Sequence, residues 1–64
     1  PDDSTPASRL AFLIDSHQLN QKDLPEIGPQ SVVSEILSGK RQINLRQASA
    51  LSRRFAVPMD VFAG

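Results

Sequence analysis

The chain has no cysteine and a single histidine, His17. The first absence removes disulfides and thiolate metal sites, and one imidazole cannot build a zinc site without carboxylate or external ligands. Neither metal-dependent chemistry nor a cofactor is expected. No apolar run approaches the ~20 residues of a membrane span, and no basic stretch leads into an apolar one, so neither insertion nor export is indicated. A cytoplasmic setting without a membrane partner is the default expectation. Glycine is scarce, at three residues, and forms no phosphate-cradling loop. A catalytic arrangement is missing too. A nucleophile needs a base, no carboxylate stands at a diagnostic spacing from His17, and Asp2 and Asp3 form only a terminal acidic pair. The chain does not read as an enzyme.

Net charge is also absent, with seven cations balancing seven carboxylates. Basic domains are the usual electrostatic footprint of nucleic-acid binding, so overall neutrality counts against that function. The distribution alters the reading. Residues 1–28 set Arg9 and Lys22 against Asp2, Asp3, Asp15, Asp23 and Glu26, whereas residues 29–64 set Lys40, Arg41, Arg46, Arg53 and Arg54 against Glu35 and Asp60. The chain is therefore acidic early and basic late.

Sixty-four residues allow one domain, and chains near this length bury only about 60% of the surface exposed when unfolded. The opening Pro1-Asp-Asp-Ser-Thr-Pro6 lacks a methionine, which suggests a piece of something longer. Residues 1–5 are expected to be a disordered or linker segment, with the domain spanning 6–64.

Thr5 followed by Pro6 is a helix start: the hydroxyl accepts from an orphan N–H, and the proline is preset for the first helical position. Leu10, Leu13 and Ile14 then form a stripe at helical spacing up to about His17. Phe12 falls off that stripe, so it either faces a partner chain or an absent segment, or packs on the last turn. Asn20 can cap a second helix through Gln21 to Leu24, which Pro25 should keep brief or kinked. Gly28-Pro29 opens a third helix from Pro29 to Ser38. Asn44 caps a fourth, in which Leu45, Ala48, Leu51, Ser52 and Phe55 recur at threes and fours. Ala56-Val57-Pro58 ends it, and Pro58 to Phe62 leaves room for a last turn or two. No alternating pattern marks a strand. The expected fold is all-α, a compact bundle of about five short helices joined by connections too short for parallel neighbours.

The third helix carries the functional signal. Val33, Ile36 and Leu37 share one face, while Gln30, Ser31, Ser34, Glu35 and Ser38 lie largely off it. Gly39 suits the left-handed residue past a helix end, and Lys40 and Arg41 follow where the chain leaves. Such a helix can be held by one face while the other enters a groove, and the simplest ligand with that shape and charge is duplex DNA.

Leu19-Asn-Gln-Lys-Asp-Leu24, Val33-Ser-Glu-Ile-Leu-Ser-Gly-Lys40, Leu51-Ser-Arg-Arg-Phe-Ala-Val57 and Met59-Asp60 together resemble the Cro/Xre-type, lambda-repressor-like helix-turn-helix domains of bacterial and phage repressors. Asp23-Leu-Pro-Glu-Ile-Gly28 with Ser38-Gly-Lys-Arg41 looks most like the DNA-binding domain of HigA-type antitoxins, which autorepress a toxin and antitoxin operon. The resemblance implies that helices two and three form the helix-turn-helix, with the third in the major groove. It also implies a homodimer on an inverted-repeat operator, dimerised through this chain or a segment absent from it, and a cognate toxin as partner. One departure stands out. Pro25 occupies the place of the usual alanine, and the span from Leu24 to Ser34 is about two residues short, so the angle between the two helices is expected to differ from the family norm.

On that resemblance Gln30 and Ser31 match base-reading positions, and a glutamine can bond adenine N6 and N7; the alternative for Gln30 is a solvated first-turn residue. Val32 could meet a thymine methyl or be peripheral core. Glu35 either accepts from cytosine N4 or pairs with Lys40 or Arg41. Ser34 and Ser38 are small enough to donate to phosphate, although packing against helix two is the preferred reading of Ser34. Lys40, Arg41 and Arg46 are candidate phosphate clamps. Gln21 matches a family phosphate contact at a helix start. Arg53 and Arg54 are expected to complement a helix macrodipole. The rival reading is a protein-interaction module that binds a toxin or regulator without touching DNA.

Overall fold

The computed structural model describes residues 5–63. Asp2 and Asp3 lie outside them. Thr5 caps the first helix: its side chain accepts from the Ser8 N–H at 3.1 Å, and Ser8 Oγ accepts from the Thr5 N–H at 2.9 Å. Pro6 then opens α1, Pro6–Ser16. Its end is closed by Gln18 in the left-handed region, where Leu19 N–H reaches back to the Ile14 carbonyl at 2.9 Å.

A single 3-10 turn, Gln21–Asp23, stands where the second helix is expected. Leu24, at φ −118° and ψ 60°, has already left helical geometry, as the residue before a proline tends to. The Asp23 carboxylate secures the turn by accepting from the Asn20 N–H at 2.7 Å.

Helix α2 spans Gln30–Leu37, one residue shorter at its start than the sequence suggests, because Pro29 is the cap rather than the first helical residue. Helix α3 is Leu45–Phe55, with Asn44 and Gln47 exchanging side-chain to backbone bonds at 2.8 and 3.0 Å. Ala56 ends it in the left-handed region, and a second 3-10 turn, Met59–Phe62, follows. The expected all-α fold is observed: among the described residues three helices and two 3-10 turns occupy the places of the five short helices, and no strand occurs.

The core gathers Leu10 and Ile14 of α1, Leu24 and Ile27 of the connection, Val33 and Ile36 of α2, Ala48, Leu51 and Phe55 of α3, and Phe62. Helix α1 packs on α2 and on the last turn, which α3 also contacts, while α2 packs on the first turn. Burying side chains of this size stabilises by about 1.5 to 3 kcal/mol each before entropy is charged against it. Leu45 departs from expectation: the α3 stripe places it inward, but it is 77% exposed. As the first residue of the helix it sits beyond the end of the core, and Gln47 and Ala48 turn inward instead.

Candidate nucleic-acid interface

Helix α2 is seated by Val33 and Ile36, at 0% and 1% exposure, with Val32 and Leu37 partly buried beside them. Gln30, Ser31, Ser34 and Ser38 are exposed and Glu35 is half-buried. The polar face foreseen from the spacing is present. Ser34, for which packing against the Gln21–Asp23 turn is the preferred reading, is exposed. Pro29 has no side-chain oxygen to cap the first turn, so the leading N–H groups of α2 have no capping side chain. Gln30 shares a shallow hollow with Asn20, Gln21 and Lys22, so the structure brings two of the expected contact residues, Gln21 and Gln30, to one place.

The other end of α2 is organised around Glu35. Its carbonyl accepts from Lys40 N–H at 2.9 Å, from Arg41 N–H at 3.2 Å and from Ser38 Oγ at 3.1 Å. Gly39 N–H donates to Ile36 O at 3.1 Å, and Gly39 has φ +84°. These bonds form a Schellman motif, which fixes where Lys40 and Arg41 emerge. The Glu35 carboxylate takes Arg41 Nε at 2.8 Å and Arg41 Nη2 at 2.8 Å on the same oxygen, Oε1. Of the two readings of Glu35, the ion pair is therefore formed, and its partner is Arg41 rather than Lys40.

No protein-family profile matches the chain. Over 53 residues it is 46% identical to the antitoxin HigA of Escherichia coli strain K12 and, to the same degree, to the antitoxin HigA of Shigella flexneri. The chain is HigA-like. The alignment takes in 83% of this chain, which spans 38% of the length of those antitoxins. The likeness to HigA-type antitoxins expected from the Asp23 to Gly28 and Ser38 to Arg41 motifs is thereby borne out.

In this HigA-like domain the remaining cations divide. Lys40 and Arg46 are exposed, and Arg46 stands on the first turn of α3 with no hydrogen bond or ion pair tying it to α2 among the described residues. Arg53 is exposed in the last turn of α3, where the macrodipole favours a cation. Arg54 does more than complement a dipole. It pairs with Glu26 at 2.8 Å and donates to the Asp23 carbonyl at 3.0 Å, fastening the connection before α2 to α3. Gln47, buried although polar, fastens the same connection from the start of α3, its Nε2 donating to Ile27 O at 3.2 Å. The signal for Gln47 was available as Asn44-x-x-Gln47, a capping-box spacing. No comparable signal marks Arg54, because its partners are remote in sequence. His17 lies against Phe55, ring centroids 5.0 Å apart. Phe12 is 69% exposed and is not part of the core. No helix of the described residues is long and apolar enough to cross a membrane.

Proposed function

We propose that this HigA-like domain binds duplex DNA in a sequence-specific way, with α2 in the major groove, and serves as the DNA-reading part of an antitoxin that represses its own toxin and antitoxin operon. The observation that carries the reading is the two-sided character of α2: Val33 and Ile36 lock one side into the core while Gln30, Ser31 and Ser34 stand free on the other. A rigid helix with a small polar face is what major-groove entry requires. Gln30 and Ser31 meet base edges, Val32 reaches a thymine methyl from the margin of the core, and Glu35 accepts from a base amino group. Lys40, Arg46, Gln21 and Ser34 serve phosphates, assisted by the uncapped start of α2, whereas Ser38, whose hydroxyl donates to the Glu35 carbonyl, reaches a phosphate only by giving up that bond. Arg41, whose head is engaged by Glu35, has the least charge to give to phosphate.

One such helix reads only a few base pairs, so useful affinity requires a homodimer on an inverted repeat with half-sites about 34 Å apart. A second reading, a surface for a toxin or other protein, is favoured by the outward Phe12. Exposed aromatics of this kind anchor protein contacts.

The test compares Gln30→Ala with Lys40→Ala in the full-length protein on operator and random duplexes. Gln30→Ala should relax preference at one base pair by ~1 to 3 kcal/mol, and Lys40→Ala should weaken all sequences alike. Equal losses on operator and random DNA for Gln30→Ala would remove it from base reading. A wild-type protein that binds a toxin but no DNA would establish the second reading in place of the first.

A further inference from the structure

We infer that Arg41 is a positioning residue for Glu35, holding one carboxylate oxygen so that the other is presented to an exocyclic amino group of a base, cytosine N4 being the matching donor. The inference rests on α2 being the recognition helix. Two N–H groups of Arg41 converge on Oε1 at 2.8 Å each, and among the described residues Oε2 accepts no hydrogen bond. The backbone reinforces the arrangement, since the Arg41 N–H also donates to the Glu35 carbonyl at 3.2 Å. Arg41 is therefore attached to Glu35 at both main chain and side chain, across a turn that Gly39 closes.

Two physical consequences follow for a groove. A bare carboxylate brought among phosphates is repelled, whereas one paired to a guanidinium carries little net charge. A glutamate side chain alone samples many rotamers, whereas a planar guanidinium gripping one oxygen limits the direction of the other. Cytosine presents its N4 amino group in the major groove as a donor, and a carboxylate is its natural acceptor. The pair is half exposed, at 52% and 43% of the side chains, so it adds little to folding stability. That separates its role from a structural one.

The experiment uses the full-length protein, an operator duplex, its single-base-pair variants and a random duplex, with urea unfolding as the control on folding. Glu35→Gln and Arg41→Gln should each relax preference at the same base pair, on the order of tenfold, and the double variant should be no worse than either single one. Arg41→Lys should fail to restore the preference, because an ammonium does not offer the paired planar donors. The urea midpoint should stay at the wild-type value for Arg41→Gln, and the salt dependence of binding should stay at the wild-type value in the double variant, which leaves no bare carboxylate in the groove.

The inference is overturned if the Glu35→Gln, Arg41→Gln double variant weakens operator and random DNA alike relative to Glu35→Gln and reduces the salt slope by about 0.9, the signature of a lost phosphate contact. It is equally overturned if the two single variants relax different base pairs, or if neither alters preference. A wild-type protein that does not bind the operator at all would defeat the reading of α2 itself, a result distinct from those of the variants.

Discussion

Arg54 near the end of α3 holds Glu26 at 2.8 Å, although 28 residues separate them in sequence. The same guanidinium donates to the Asp23 carbonyl, and at the other end of α3 Gln47 donates to the Ile27 carbonyl. The connection that Pro25 prevents from becoming a longer helix is thus pinned at Asp23, Glu26 and Ile27 by one helix. Because α2 starts directly after it, this clamp sets where the polar face of α2 points.

Replacing Arg54 by alanine should therefore destabilise the domain although the residue looks like surface. The pair is about a third exposed, at 33% and 28%, so solvent screening limits its worth. The buried Glu26 Oε1 already lacks a hydrogen-bond partner, so losing the partner of Oε2 adds to an existing cost. A loss of about 1 kcal/mol is expected, read as a lower urea midpoint at unchanged slope. Arg54→Lys should recover less than half, because one ammonium cannot reach the carboxylate and the carbonyl in the same geometry.

Gln47→Leu tests the other end of the clamp. The substitution keeps the volume but leaves the Asn44 N–H and the Ile27 carbonyl without their partner. Each is near the buried side of α3, and a loss of about 2 kcal/mol is expected in urea unfolding. A neutral result would mean that water replaces both bonds.

Left-handed residues give a pair of opposite expectations. A methyl group on Gly39, at φ +84°, would meet nothing within 4 Å, so Gly39→Ala should cost only the backbone penalty, about 1 kcal/mol. Ala56 already carries that penalty at φ 54°, and Ala56→Gly should stabilise by about 0.5 kcal/mol after the added freedom of the unfolded chain is deducted. Thermal midpoints of the two variants should move in opposite directions.

Leu45 and Leu51 share α3 but not an environment, at 77% and 0% exposure. Leu51→Ala should cost about 2 to 5 kcal/mol. Leu45→Glu should be neutral or stabilising by up to about 1 kcal/mol, since a carboxylate in the first turn suits the helix dipole. If Leu45→Glu unfolds the domain, its side chain lies in a core after all.

The contrast at Leu45 shows which parts of the fold can be read from sequence. Caps at Thr5 and Asn44, the stripe of Leu10 and Ile14, and the Val33 and Ile36 face of α2 depend on residues three or four apart, and spacing captures them. Leu45 satisfies the same spacing as Leu51, yet the core ends before it, and where a core ends is a tertiary fact. The candidate site divides in the same way. The polar face of α2 and its glycine-led exit are local, whereas the choice of Arg41 over Lys40 as the partner of Glu35 depends on the path that the Schellman bonds give the chain. Arg54 was furthest from reach, because a cation in a last turn has a sufficient local explanation and its remote acceptors leave no trace nearby.

The most direct test of DNA binding through α2 and its flanking cations is a salt titration of the full-length protein on an operator-like duplex. If Lys40, Arg46 and their neighbours meet phosphates, log affinity should fall linearly with log salt at about −0.9 per phosphate neutralised, and Lys40→Ala should make that slope shallower by about one such step. Binding that ignores salt, or a slope that Lys40→Ala leaves untouched, would contradict the account.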